Sequence, residues 1–236
     1  MRFMVMHKMT EALERQVVDP EVMAGVDKLI GEAAGQNVFI TGEGLKPTAQ
    51  RTHLVYKNGR RAATRGPFAD AKELIGGFAL LRVRDEAEAL HWCDRFAAVA
   101  GDVELHVGPV VEPWDLGMMP KPEHPPLRVL SLVQATRDDD APPDAAEAAK
   151  MGALIAEMTA AGVLEATGGL ASTRRGARIR FEGGKPRIID GPFAESKELI
   201  AGYAILELPS KAAAIDWGVR FGAVVKVEEV DVREMA

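Results

Sequence analysis

Asp190, Glu195, Lys197 and Glu198 crowd around one short turn, Gly191-Pro192-Phe193. Carboxylates and an ammonium held beside an apolar pocket shift one another's proton affinity, so such a group can serve as acid, base or ligand clamp. Asp190, Glu195 and Lys197 are therefore the expected catalytic set, with Glu198 on the ligand. A second turn of the same sequence, Gly66-Pro67-Phe68, carries Arg65, Asp70, Lys72 and Glu73 at the matching places. These four, with His7 at the end of the first apolar run, complete the expected ligand-binding set. The turn also has a purely structural reading, in which Gly supplies a free φ, Pro presets the bend and Phe anchors it in the core. Where one turn has Asp190 the other has Arg65. A structural Asp would tolerate that change only with a rearranged partner, and Arg65 would then fill the equivalent space or pair with Asp70 or Glu73.

Other chemistry is thinner. His7, His53, His91, His106 and His124 all precede residue 126 and show no HxH or HxxxH spacing, so no metal site is expected. His7 at the end of a strand and His53 on a hairpin could line a mouth, although both, like His91 on a helix, read more readily as solvent-facing. Cys93, the single cysteine, excludes an internal disulfide and reads as an inert helix residue. Gly42-Glu43-Gly44 and Gly168-Gly169 lack the lysine and serine of a phosphate loop, and no cofactor is expected. A net charge of -6 without a basic stripe argues against nucleic acid. The apolar run in the first nine residues is interrupted by Arg2, His7 and Lys8 and is too short for a signal core or a membrane span. A cytoplasmic protein without a membrane partner is the expectation.

The two turns belong to a longer repeat. At an offset of 125, residues 66–96 match residues 191–221 at sixteen of thirty-one positions, including Trp92 with Trp217 and Arg95 with Arg220. A period this long means whole domains rather than solenoid units. Six prolines between Pro109 and Pro126 mark a semi-rigid connector. The expected division is one domain over 1–117, a linker over 118–126 and a second domain over 127–236.

Each repeat opens with an apolar, β-prone run (Phe3 to Met6, Val129 to Val133) and a segment of helical spacing (Pro20 to Ala34, Asp144 to Ala161). Val38 to Ile40 and Val163 to Leu164 begin a second strand. A hairpin follows, turning at Asn58-Gly59 or Gly183-Gly184, residues that tolerate the positive φ such turns need. After the Gly-Pro-Phe turn come a core strand (Gly77 to Val83, Gly202 to Leu208), a helix capped by Asp85 or Ser210, and a last strand (Val103 to Val107, Val227 to Val232). Trp92, Phe96, Trp217 and Phe221 have the spacing of a core-facing helix stripe. The sum is α+β, the ferredoxin-like β-α-β-β-α-β pattern with an added hairpin, twice. One such domain leaves a sheet face bare, and the second copy is the obvious cover.

Asp190-Gly191-Pro192-Phe193-Ala194-Glu195-Ser196-Lys197-Glu198 resembles the signature of the YCII-related, DGPF-type family. Gly42-Glu43-Gly44-Leu45 and Glu112-Pro113-Trp114-Asp115-Leu116-Gly117 resemble its flanking segments. The resemblance spans both repeats and implies a dimeric α/β barrel, with two ferredoxin-like domains packed sheet on sheet as an intrachain pseudo-dimer. Some relatives carry a His and Asp pair suited to proton transfer, and some accompany extracytoplasmic-function sigma factors. The resemblance thus implies either a small-molecule-binding or accessory protein, or a cofactor-independent enzyme acting on a small organic molecule.

Overall fold

The computed structural model describes residues 1–10, 19–68, 73–196 and 199–236. Among them are twelve strands and four α-helices. Repeat one supplies β1 (Arg2–Met9), α1 (Pro20–Gly35), β2 (Phe39–Gly44), β3 (Thr52–Lys57), β4 (Arg60–Arg65), β5 (Ile75–Val83), α2 (Glu86–Ala100) and β6 (Val103–Pro109). Repeat two supplies β7 (Leu127–Gln134), α3 (Ala145–Ala160), β8 (Leu164–Gly169), β9 (Ala177–Glu182), β10 (Lys185–Asp190), β11 (Leu199–Glu207), α4 (Lys211–Val225) and β12 (Glu229–Glu234). The element order expected from sequence is present twice.

Local chemistry sets the boundaries. Asp85 accepts a hydrogen bond from the Glu88 amide at 2.9 Å, and Ser210 accepts one from the Ala213 amide at 3.2 Å. Each satisfies an amide that has no partner inside its helix. Asp144 starts α3 in the same way, accepting from Ala146 at 2.7 Å. Both hairpins turn through two residues of positive φ, 51° and 71° at Asn58-Gly59 and 59° and 78° at Gly183-Gly184.

The strands do not sort by repeat. Two six-stranded antiparallel sheets form, in the orders β10-β9-β12-β1-β11-β2 and β4-β3-β6-β7-β5-β8. Each sheet takes its first and second ferredoxin-type strands from one repeat, and its hairpin and last two strands from the other. β1 lies between β11 and β12, with Met4 facing Ile205 on one side and Arg233 on the other. β7 likewise lies between β5 and β6. The chain accordingly divides into a terminal unit, Met1–Gly44 and Leu170–Ala236 with Glu73 and Leu74, and a central unit, Leu45–Ala69 and Ile75–Gly169.

Strand alternation gives each sheet a helix-covered face. In the terminal unit Phe3, Val5, Ile179, Leu206, Val230 and Val232 pack with Leu29 and Trp217. In the central unit Leu54, Leu81, Leu105 and Val107 pack with Trp92, Leu154 and Met158. Each such aliphatic or aromatic side chain contributes about 1.5–3 kcal/mol on burial. On the other face of the terminal sheet the alternate residues Met4, Met6, Tyr203 and Ile205 are buried too, and so are the charged Lys8, Arg178, Glu229, Asp231 and Arg233.

Candidate functional site

The charged residues of the terminal sheet form one connected cluster. Lys8, only 1 % exposed, places Nζ 2.9 Å from Asp231 Oδ2 and 3.1 Å from Glu229 Oε1. Arg178, directly across from Asp231 in the β9–β12 ladder, donates to both its carboxylate oxygens, from Nε at 2.7 Å and from Nη2 at 2.9 Å. Its third nitrogen donates to the Ala194 carbonyl at 3.0 Å. Glu229 also receives Arg180 at 3.1 Å. Burial alone would raise the Asp231 carboxyl, but the charges of Lys8 and Arg178 outweigh it and hold that carboxyl below the usual carboxylate range. The Phe193 ring lies 4.5 Å under the Arg178 guanidinium, a cation–π contact that ties the Gly-Pro-Phe turn to the cluster. The turn is held from below as well, its Phe193 amide donating to Thr173 Oγ1 at 3.2 Å.

At an offset of 125, Arg178 becomes His53 and Asp231 becomes His106, again directly opposed across a ladder. The ion pair of one unit is thus a pair of imidazoles in the other. Their ring centroids are 4.5 Å apart at 88°. Phe68, equivalent to Phe193, stacks on His106 at 5.6 Å and 14°. His53 Nε2 lies 3.1 Å from Glu104 Oε2, with His53 26 % and Glu104 53 % exposed. His106 is 5 % exposed. One buried imidazole, one partly open imidazole with a carboxylate beside it, and a flat aromatic ring therefore share one end of the central sheet. These groups can exchange hydrogen bonds, move a proton and stack a planar molecule.

Of the residues expected from sequence, the described ones are held by separate partners. Asp190 ends β10 with its side chain 74 % exposed and pairs with Lys211 Nζ at 2.7 Å. Its counterpart Arg65 pairs with Glu86 at 2.9 Å. Lys211 and Glu86 are themselves 125 apart, so the surface ion pair has been reversed in both members. Glu195 is exposed. Glu73 is buried, its Oε2 accepting the Ile200 amide at 2.8 Å, while its backbone bridges Ser196. His7 faces the helix side, edge-on to Phe221 at 5.2 Å. Asp70, Lys72, Lys197 and Glu198 lie outside the described residues. Among the described residues no group of three or more His, Cys, Asp or Glu side chains could hold a metal ion. Burial pushes the Cys93 thiol up to about 12, which keeps it protonated and unreactive at neutral pH.

His53 and His106 carry the most suggestive geometry, yet read alone His53 passes for a surface residue and His106 for one more position of a strand. The available signal was the repeat itself, since its alignment sets two histidines against an arginine and an aspartate. A second compensated exchange lies nearby. Arg233 donates to the Ala171 carbonyl at 2.5 Å from β12, and Arg51 donates to the equivalent Lys46 carbonyl at 2.7 Å from the start of β3. The position facing each arginine is glycine. A Cβ on Gly108 would meet Arg51 Cγ at 2.7 Å, and one on Gly176 would meet Arg233 Cδ at 3.1 Å. Both units thus cap the same carbonyl with a guanidinium that arrives from opposite strands.

No curated protein and no solved structure matches the chain. The family model of the YCII-related domain matches it twice, over residues 1–109 and 129–236, and each match contains one Gly-Pro-Phe turn and one version of the cross-strand pair. With nearly the whole chain covered by those two matches, this protein belongs to the YCII-related domain family.

Proposed function

We propose that this protein binds a small organic molecule, and that the binding site is the His53–His106–Phe68 end of the central sheet. The observation that carries this reading is the difference between the units at one position. In the terminal unit the polar groups there are engaged with one another, with both Asp231 oxygens and three Arg178 nitrogens in hydrogen bonds. In the central unit the same position holds two imidazoles, one of them partly open, against an aromatic ring. An apolar surface with a few convergent polar groups is the usual make-up of a ligand site. The ligand chemistry this favours is a planar group bearing a hydrogen-bond donor or acceptor. The terminal unit then serves as the scaffold.

The His53–Glu104 contact favours one further reading, in which the site also transfers a proton. A carboxylate beside an imidazole fixes its tautomer and orients the ring, as a general base requires. A fragment screen by NMR, following the imidazole signals of His53 and His106, tests the binding site. Fragments are expected to shift both signals and to bind roughly tenfold more weakly to His106→Asn, the size of one lost buried hydrogen bond and stacking contact. Fragments that instead perturb Asp190 and Glu195 and bind His106→Asn unchanged would move the site to the copy-two turn. Proton transfer would show as isotope exchange on a bound fragment, lost in His53→Gln.

A further inference from the structure

We propose that the buried ion cluster at Lys8 is an address, the feature that directs the first β-α-β arm of the chain into the sheet of the other repeat. β1 could in principle lie beside either of two strand pairs, β11 and β12 of repeat two or β5 and β6 of its own repeat. The hydrogen-bond ladder does not distinguish them, because backbone pairing carries no side-chain information and the repeats share nearly the same strand lengths and alternation. Most side chains of the two arms interchange without a change of charge. Met4 corresponds to Leu130 and Met6 to Leu132, and all four are buried.

Among the buried side chains of the arms, the exception is Lys8. It faces Ile200 on β11, and the residue facing the equivalent Ile75 is Gln134 on β7. In the observed pairing Lys8 meets Asp231 and Glu229. In the alternative it would enter the sheet of His53, His106 and the half-exposed Glu104, and Gln134 would face the two buried carboxylates. Arg178 would then remain with two buried carboxylates and without Lys8, and a buried carboxylate that loses part of its countercharge is disfavoured, whereas a fully matched cluster adds little net stability. The cluster therefore acts chiefly by penalising the wrong partner, as polar groups do when they fix register or pairing in other folds.

Two engineered cysteine pairs in the full chain read out the choice, each placed in a Cys93→Ala background. Arg2 faces Glu207 across the β1–β11 ladder, so Arg2→Cys with Glu207→Cys reports the observed pairing. Arg82 is the repeat-one counterpart of Glu207, so Arg2→Cys with Arg82→Cys reports own-repeat pairing, within or between chains. Both chains are refolded from denaturant under oxidising conditions and their disulfides mapped by peptide mass spectrometry. With Lys8 and Asp231 intact, the 2–207 bond is expected to exceed the 2–82 bond by roughly tenfold or more, and Lys8→Gln with Asp231→Asn, which removes one charge of each sign, is expected to bring the two yields within about threefold. The proposal is overturned if the double variant folds and keeps the original ratio. It is also overturned if the double variant gives no folded chain by circular dichroism, because the cluster would then be needed for folding as such rather than for the choice of partner.

Discussion

The terminal and central units put different chemistry on one backbone plan. Arg178 and Asp231 face each other across β9 and β12, and His53 and His106 do so across β3 and β6. The first pair is ionised, buried and tied to Lys8 and Glu229; the second is two imidazoles, with one edge open to solvent beside Glu104. Charge that is fully matched inside a sheet gives a partner specificity and leaves little capacity for a ligand. Two imidazoles at the same place give little pairing information and put an aromatic, hydrogen-bonding surface beside Phe68. The surface pairs Asp190–Lys211 and Arg65–Glu86 differ in a third way, by a reversal that leaves the interaction unchanged.

The largest effect that would sharpen this contrast is expected from Asp231→Ala. It leaves Lys8 and Arg178 buried with one of their two shared carboxylates, Glu229, and should destabilise by about 3–5 kcal/mol in urea unfolding. His106→Ala at the matching position should lose only about 1–2 kcal/mol. Equal losses would erase the distinction between a structural ion cluster and a site. Acid should act on the same contrast. Asp231 has a folded-state proton affinity below its unfolded one, so its contribution is fully present above the unfolded value of about 3.9 and is lost as pH falls through the lower folded value. Hydrogen exchange as a function of pH should therefore show β9 and β12 losing protection on acidification, and Asp231→Asn should flatten that part of the profile.

Phe193→Ala comes next. The ring is half-buried, so the loss is expected near 2 kcal/mol, below the 3–5 kcal/mol of a fully buried phenylalanine, and part of it is the contact with Arg178. Asp190→Asn should be smallest, under about 1 kcal/mol, because its ion pair with Lys211 is solvent-exposed. Thermal melts of these two variants rank them directly. A large shift for Asp190→Asn would restore that carboxylate to the centre of the structure.

Much of the fold was legible because the local signals agree with one another. Asn58-Gly59 has the positive φ its sequence implies, Asp85 and Ser210 cap the helices they precede, and Trp92 and Trp217 point into their cores. The parentage of each sheet was not legible. Periodicity shows that Phe3 to Met6 is a strand with two buried faces but is silent on which β5-like or β11-like strand lies beside it. That choice depends on contacts more than two hundred residues apart, such as Lys8 with Asp231. The site was hidden for a related reason. The motif drew the eye to Asp190 and Glu195, which are exposed, while His53 and His106 meet only because β3 and β6 pair.

The arginine–glycine exchange reaches into how such a gene can change. Arg51 with Gly108 and Gly176 with Arg233 are two solutions to one packing problem, each complete only as a pair. Unequal crossover between the repeats that joins β3 to β12 would set two guanidiniums competing for one hole, and one that joins β9 to β6 would leave two glycines and an uncapped carbonyl. The stretch from Arg51 to the end of β6 should therefore be inherited as a block, and chimeras of the two repeats should fold only when their junctions fall outside it.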